Sequence, residues 1–257
     1  MKVFIISRGS ITKMLLILIL ICISMIYTVG TDTGALSVFI NNDKQLPIYC
    51  VETEEKKIAI SFDAAWGADY TNDLLSILKE HNVKTTFFLV GFWVDTYPEM
   101  VKKIAAEGHE IGNHSAKHPK MSQLSEEQII KELKTTSDKI EALIGKPTVL
   151  FRPPFGDYNN RLILTAREMG IQTIQWDVDS LDYKDYGVDS IVSRVCSKVQ
   201  NGSIVLFHNN ATYTKDALPI ILKKLQAEGY QIVPISELIL KENYYIDHTG
   251  RQRKLKS

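Results

Sequence analysis

The chain has 257 residues, of which 45% are hydrophobic, enough for one full-sized domain with a large core or for two small domains. Its 30 basic and 30 acidic residues cancel, so the charge gives no reason to expect a nucleic-acid partner. Three cysteines without a CxxC or Cys/His cluster argue against a disulfide framework or a zinc finger. Cys50 and Cys196 could pair in an oxidising compartment, but unpaired thiols are the default.

Residues 1–30 are predicted to be a membrane anchor or signal segment. The basic residues Lys2, Arg8 and Lys13 precede an apolar run over 14–29, "MLLILILICISMIYTV". This run is shorter than the roughly 20 residues of a spanning helix, yet longer than the roughly 7–15 residues typical of a signal peptide. No clean cleavage site follows, and we favour an uncleaved anchor over a secretion signal. Either outcome exports the downstream domain, so we expect an extracytoplasmic protein, membrane-anchored or secreted.

The remaining chain divides into three parts. Residues 31–55 are expected to be a linker with a lead-in strand, residues 56–240 the domain, and residues 241–257 a polar, solvated tail. Seven short β-rich runs are predicted at 56–62, 84–91, 110–115, 148–154, 172–180, 203–208 and 231–235. Helical patterns lie between them at 70–82, 98–109, 125–145, 160–170 and 216–229. The third helix should begin with a capping box, Ser125 to Gln128, and end at Gly145.

Repeated β-then-α units indicate an α/β fold with a parallel sheet covered on both faces. An open sheet and a closed barrel both fit this pattern. No GxGxxG or Walker-type loop follows the first strand, which weakens the nucleotide-binding open sheet. The pattern therefore favours a (β/α) barrel with about seven strands, after an N-terminal apolar helix.

Polar side chains follow most of the predicted strands. In parallel β/α folds the carboxyl ends of the strands meet on one face, where the chemistry takes place. One polar strand end is ordinary, but five on one face predict a site. The residues concerned are Asp63, His114, His118, Arg152, Asp179, Asp182 and His208.

The motif "HSAKHP" places His114 and His118 four residues apart, a spacing that lets two imidazoles share a divalent metal, with zinc the usual candidate. A lone HxxxH is weak evidence, since two surface histidines would look the same. Asp63 alone is more often a turn residue than a catalyst, yet its apolar lead-in "IAISF" would bury it and allow its pKa to be tuned.

Five motifs in this order, "SFDAAWG", "HSAKHP", "FRPPFG", "DVDSLDY" and "IVLFH", resemble the polysaccharide deacetylases of carbohydrate esterase family 4, the NodB-homology domain. The resemblance covers roughly residues 56–240 and looks closest to the PdaB-like group, which is linked to sporulation in Gram-positive bacteria. It implies an irregular (β/α) barrel. It also implies metal-dependent hydrolysis of N-acetyl groups on amino sugars of a cell-wall glycan, peptidoglycan or chitin-like.

The resemblance also implies roles for the polar strand ends. The general base falls on Asp63, oriented by Arg152, and the general acid falls on His208. Asp182 would steer the acid, with Asp179 a weaker candidate. The metal ligands fall on His114 and His118, the oxyanion donor on the backbone amide of Phe155, and the acetyl and sugar pocket on Leu206 and Tyr183.

Two positions depart from the family pattern. Ala64 stands where the family has the Asp that is its third metal ligand, and Tyr183 stands where it has Trp. Losing a ligand should weaken metal binding, unless Asp69 or a water fills the position. The main expectation is a deacetylase. The alternatives are a catalytically weak or inactive glycan-binding wall protein, which Ala64 motivates, and a metal-dependent hydrolase of a non-sugar amide.

Overall fold

The computed structural model describes residue 9, residues 13–21 and residues 44–255. The chain divides into two compact units, Met1–Lys44 and Gln45–Ser257. The second unit carries every motif discussed above.

Only part of the segment predicted to be an anchor or signal, residues 1–30, falls within the described chain. Residues 13–21 are helical. Among the described residues, no helix is both long and apolar enough to cross a bilayer. The rest of that segment, and the predicted linker up to residue 43, lie outside the described residues.

The described part of the second unit contains eleven strands and eight helices, counting only helices of four or more residues. The strands are β1 (Cys50–Val51), β2 (Lys57–Ala64), β3 (Thr86–Leu89), β4 (Glu110–Asn113), β5 (Leu150–Phe151), β6 (Gln172–Thr173), β7 (Val178–Asp179), β8 (Ile204–His208), β9 (Gln231–Val233), β10 (Tyr244–Ile246) and β11 (Arg251–Lys254). The helices are α1 (Thr71–Glu80), α2 (Gly91–Thr96), α3 (Pro98–Ala106), α4 (Glu126–Ile144), α5 (Asn160–Glu168), α6 (Val188–Lys198), α7 (Thr214–Ala227) and α8 (Ile235–Leu238).

The main sheet is parallel and curls into an incomplete barrel. Its strand order is β6-β5-β4-β3-β2-β8-β7, with β9 paired to the start of β2. The two end strands, β6 and β7, are separated in sequence only by residues 174–177, so the short connection keeps both edges of the sheet close together. The predicted irregular (β/α) barrel is therefore confirmed, with the fifth predicted run split into β6 and β7.

Strand β2 shows how the sheet separates its two faces. Ile58, Ile60 and Phe62 pack in the core that contains the helices, whereas Ala59 packs in a second core inside the barrel. Because side chains alternate along a strand, Asp63 shares the inner face with Ala59. The apolar residues of the strand therefore fix the direction of its terminal carboxylate.

Five of the eight helices lie where the sequence predicts a helix. Helix α4 begins with the predicted capping box between Ser125 and Gln128 and ends at Gly145, whose φ is +68°. Helices α2, α6 and α8 were not predicted. Helix α6 reads "VDSIVSRVCSK", and its β-branched residues weaken the helical pattern.

The predicted polar tail is instead partly folded into a hairpin. Strands β10 and β11 pair antiparallel, and β11 adds to β1, giving a three-stranded sheet. Gln252 is fully buried, where its side chain exchanges two hydrogen bonds with the backbone of Leu240. Arg253 pairs with Asp247 and Glu52. These long-range contacts give the basic sequence a structural role that its composition does not reveal.

Two cysteines lie in the described chain, and both are free thiols. Cys50 is buried in β1 and Cys196 is half-buried in α6. The default expectation of unpaired thiols therefore holds for these two residues.

Candidate active site

The carboxyl ends of the barrel strands open on a cavity of about 620 Å³. The structure brings most of the predicted site residues to its walls. Those that line it are Asp63, His114, His118, Phe155, Asp179, Tyr183, Leu206 and His208. Arg152 and Asp182 are fully buried behind this wall, each in contact with a lining residue.

Asp63 and Arg152 form a buried ion pair at the base of the cavity. Arg152 Nη1 donates to Asp63 Oδ1 and to Ser61 Oγ, both over 2.8 Å, and Nη2 donates to the Gln175 carbonyl over 3.0 Å. The guanidinium also lies 4.3 Å from the Phe88 ring centroid. These contacts hold the arginine, and through it the carboxylate, in one orientation.

The charge state of Asp63 follows from this pairing. Burial alone would raise the pKa of Asp63, but the charge and hydrogen bond of Arg152, with smaller contributions from His114 and His208, lower its pKa below the ordinary value. The carboxylate is therefore ionised at neutral pH and able to accept a proton.

His114 lies beside this pair with its two ring nitrogens in different surroundings. Nδ1 is 2.7 Å from the Arg152 carbonyl oxygen, which can only accept, so Nδ1 carries the proton. Nε2 lies 3.5 Å from Asp63 Oδ2. Burial lowers the pKa of His114, which leaves a neutral ring with the Nε2 lone pair available.

His118 stands edge-on between two exposed aromatic rings. Its ring centroid is 4.8 Å from that of Trp66, 4.5 Å from that of Phe155 and 5.0 Å from that of His114. Burial and the nearby His114 lower the pKa of His118 to about 4. Its Nδ1 is buried with no hydrogen-bond partner among the described residues. A buried ring nitrogen without a hydrogen-bond partner is a candidate metal-ligand atom.

On the opposite wall, Asp182 holds His208 through two bonds. Asp182 Oδ1 lies 2.8 Å from His208 Nδ1, and Oδ2 accepts from the His208 amide over 2.7 Å. Oδ2 also accepts from Thr214 Oγ1. Asp179, the weaker candidate, accepts instead from the Leu181 amide. The geometry therefore selects Asp182 as the partner of His208.

The pKa of His208 is shifted in the opposite direction from those of the histidine pair. Burial lowers the pKa of His208, but the hydrogen bond and charge of Asp182, with the charges of Asp63 and Asp179, outweigh burial and raise it. About one third of this side chain is exposed to the cavity and solvent. The imidazole is thus able to carry a proton and to deliver it at the cavity surface.

The three predicted substrate contacts lie around the rim and walls. Phe155 adopts φ +60° in the turn after Pro154, an uncommon conformation for a residue with a side chain. Leu206 is a buried wall residue, and Tyr183 is half-exposed with its ring 5.2 Å from that of His208. All three line the cavity.

The residues that the structure describes do not form a complete three-ligand metal site. Among the described residues, no group of three His, Cys, Asp or Glu side chains is placed to hold a metal ion. Ala64 is fully buried in the helix-side core. Asp69 is exposed, does not line the cavity, and donates its backbone amide to Asn210 Oδ1. The hypothesis that Asp69 replaces the missing ligand is therefore wrong.

The two histidines nevertheless suit a divalent metal. Both rings are neutral at neutral pH, His114 presents an unprotonated Nε2 towards the cavity, and His118 has a buried nitrogen without a partner in the described part of the chain. Neutral imidazole is a preferred ligand for zinc. The residues present therefore fit two of the ligands of such a site.

Several site residues were missed by the sequence analysis. Ser61 accepts from Arg152 and donates to the Val205 carbonyl. The sequence signal for Ser61 was a hydroxyl in an otherwise apolar strand, on the same face as Asp63. Trp66 and Asn209 also line the cavity. Asn209 directly follows His208, and Trp66 lies three residues after Asp63. Asn209 donates to the Gly67 carbonyl and so links the chain segments that follow β8 and β2.

Comparison with known proteins places this site in a family. Residues 51–174 match the polysaccharide deacetylase family model. A peptidoglycan-N-acetylglucosamine deacetylase of Bacillus cereus is 39% identical over 194 residues, which are 74% of this chain and 91% of that protein. The chain belongs to the polysaccharide deacetylase family. Another relative, YlxY of Bacillus subtilis, is 36% identical over 79% of this chain, but the match spans only 63% of its own length.

Solved structures of this polysaccharide deacetylase family share the barrel. A wild-type protein of Bacillus anthracis, described as a pseudoenzyme of carbohydrate esterase family 4, superposes with a TM-score of 0.73 at 37% identity. The match covers 75% of this chain and 68% of that one. A mutant of the same protein, described as having restored activity, gives the same TM-score. The fold therefore occurs in proteins described as active and as inactive, so activity has to be argued from the site.

Proposed function

We propose that this member of the polysaccharide deacetylase family hydrolyses N-acetyl groups from amino sugars of a peptidoglycan-type glycan. The observation that carries the proposal is the pairing of Asp63 with His208. These residues are register partners on adjacent parallel strands and line the same cavity. Buried Arg152 keeps Asp63 ionised, and the buried carboxylate of Asp182 holds His208. The names of the relatives support the substrate class.

The two residues divide the proton transfers between them. Asp63 accepts a proton from the attacking water, whose oxygen forms a bond to the acetyl carbon. Arg152 keeps the carboxylate ionised and oriented. His208 then donates its proton to the sugar nitrogen as the carbon–nitrogen bond breaks, releasing acetate and a free amine. Asp182 holds the imidazole in position for this donation.

The remaining walls orient the amide. The backbone amide of Phe155 is the proposed donor to the oxyanion that develops on the acetyl oxygen, a role that needs no particular side chain. The unusual φ of this residue supports a fixed direction for its peptide group. Leu206 and Tyr183 line the acetyl and sugar positions in this proposal.

A divalent metal, most simply zinc, belongs to the proposed reaction, with His114 and His118 as its protein ligands. When bound it would supply Lewis-acid polarisation and make water more acidic. With two protein ligands rather than three, we expect its affinity to be lower than that of a complete site.

A peptidoglycan substrate requires the domain to work outside the cytoplasmic membrane, in agreement with the export expected from residues 1–30. Anchoring by that segment, membership of the PdaB-like group and a part in sporulation stay predictions of the sequence. The alternative of a wall protein that binds glycan without hydrolysis is less well supported. A binder has no need of Asp63 and His208 with their separate buried partners.

Acetate release from purified protein tests the proposal. The substrates are N-acetylglucosamine oligosaccharides and peptidoglycan, each assayed with added zinc or cobalt and with a chelator. We expect release that the metal increases and the chelator suppresses, and that is lost in Asp63→Asn. If the protein binds both glycans but releases no more acetate than Asp63→Asn does, with every metal tested, the proposed function becomes that of a glycan-binding protein.

A further inference from the structure

The loop that carries the histidine pair, residues 114–118, has a backbone that must be held from outside. Ser115 and His118 adopt φ values of 69° and 57°, in the left-handed region that residues with side chains rarely occupy. Such a conformation persists only where its surroundings impose it. This histidine loop is not helical, so the HxxxH spacing alone does not fix the relation between the two imidazoles.

Glu132 of helix α4 holds the middle of the histidine loop. Its Oε2 accepts hydrogen bonds from the amides of Ala116 and Lys117, both over 2.8 Å. Hydrogen bonds to an ionised carboxylate are roughly twice as strong as bonds between neutral groups. Glu132 lies 14 residues beyond His118 in sequence, and no motif of the sequence identified it.

Neutral contacts hold the start of the same loop. Asn113 donates to the Leu133 carbonyl and to Ser137 Oγ, both on α4, and accepts from the Ser115 amide. On the other side, the Gly91 amide at the start of α2 donates to the Ser115 carbonyl. The histidine loop is thus clamped between two helices, with one charged contact at its centre.

We propose that Glu132 is a positioning residue that fixes His118 relative to His114 and so sets the affinity of the pair for a divalent metal. The inference rests on the proposed function, which assigns the two histidines to the metal. A site with two protein ligands depends heavily on their being arranged in advance, because no third side chain corrects an error in their placement. This chain has only two such ligands, because Ala64 stands where the family has the third.

Cobalt titration of the full chain, followed by the visible absorption of the bound ion, measures the effect directly. Glu132→Ala removes both loop contacts, whereas Glu132→Gln keeps an acceptor of the same length. We expect cobalt to bind Glu132→Ala about tenfold or more weakly than wild type, since losing a residue that orients a ligand costs roughly 10–100-fold. Glu132→Gln should recover most of the affinity.

Asp138→Ala is the matched control, because it removes an exposed partner of Lys134 on the same helix without touching the histidine loop. Its cobalt affinity should equal that of wild type. Equal affinities for wild type and Glu132→Ala would overturn the inference and leave the deacetylase proposal intact. The same holds if Glu132→Gln is as weak as Glu132→Ala and both lose stability, which would show a merely structural role.

Amide hydrogen exchange gives a readout that does not depend on metal. In Glu132→Ala the amides of Ala116 and Lys117 should exchange at least tenfold faster than in wild type, whereas Asp138→Ala should not change them. A wild type that binds no cobalt would remove the metal from the proposed function and, with it, the affinity role of Glu132. Unchanged exchange would refute the clamp itself.

Discussion

The two walls of the cavity differ in how completely their polar groups are satisfied. On the acid–base side, Asp63 is paired with Arg152, and His208 is bonded through its ring and its amide to Asp182. On the metal side, His118 has a buried nitrogen without a described partner and packs between the exposed rings of Trp66 and Phe155.

This difference shows which part of the site the fold arranges by itself and which part needs a bound ligand to be complete. The proposed acid and base are arranged by protein contacts alone, at a considerable cost in buried charge. The histidine pair leaves ligand capacity open and depends on its loop. We therefore expect substitutions on the acid–base side to damage chemistry and stability together, and substitutions on the metal side to act mainly through ligand affinity.

Asp63→Asn should have the largest effect. It removes the proposed base, so kcat should fall by about 10²–10⁴-fold. It also leaves the charge of Arg152 buried and uncompensated, which should lower the free energy of unfolding by about 3 kcal/mol. Acetate release and urea denaturation measure the two effects.

The control for this variant is Asp95→Asn, which breaks an exposed ion pair with Lys139. Exposed pairs contribute less than about 1 kcal/mol, so this protein should keep its stability and activity. A stable, active Asp63→Asn enzyme would contradict the assignment of the base.

Asp182→Asn should have the next largest effect, a loss of about 10²-fold or more in kcat. Asp182 raises the pKa of His208, and a general acid loses activity as the pH rises through its pKa. Removing the carboxylate lowers that pKa, so the descending limb of the pH–kcat profile should move to lower pH. Asp179→Asn removes a more distant charge that also raises the pKa of His208, and should move the limb less. Equal shifts in both variants would contradict a specific role for Asp182.

Ala64→Asp examines the metal side. Ala64 is fully buried in an apolar core, so a carboxylate there should cost more than about 2 kcal/mol of stability without metal. If the new group reaches the histidine pair, zinc should raise the melting temperature of this variant more than that of wild type. Ala64→Asn has the same size without the charge and should respond less to zinc. Equal responses in all three proteins would show that position 64 does not face the metal.

The convergence of the site residues could be predicted because parallel β/α topology brings the carboxyl ends of the strands together. Asp63 and His208 lie at the ends of apolar strands that the sequence shows clearly, and His114 directly follows β4. The capping box of α4 was equally local, and it too was found.

Residues whose roles depend on long-range contacts could not be predicted. Glu132 looks like any charged residue on a helix surface, and only the folded chain shows it bonded to the histidine loop. Ser61 acts through Arg152, which is 91 residues away in sequence. The strand at Arg251–Lys254 was predicted to be a solvated tail because its composition is basic, whereas its pairing with β1 joins the two ends of the domain.

Trp66→Ala should have the smallest effect, confined to substrate binding. Trp66 is 64% exposed at the rim of the cavity, so its removal should change the free energy of unfolding by less than about 0.5 kcal/mol. An aromatic ring contact contributes roughly 0.5–1.5 kcal/mol, so KM for an oligosaccharide should rise about 2- to 12-fold with little change in kcat. Trp66→Phe should retain part of this binding. Tyr245→Ala removes a half-exposed ring from the three-stranded sheet and should leave KM unchanged. A large fall in kcat for Trp66→Ala would instead mean that its contact with His118 positions this proposed metal ligand.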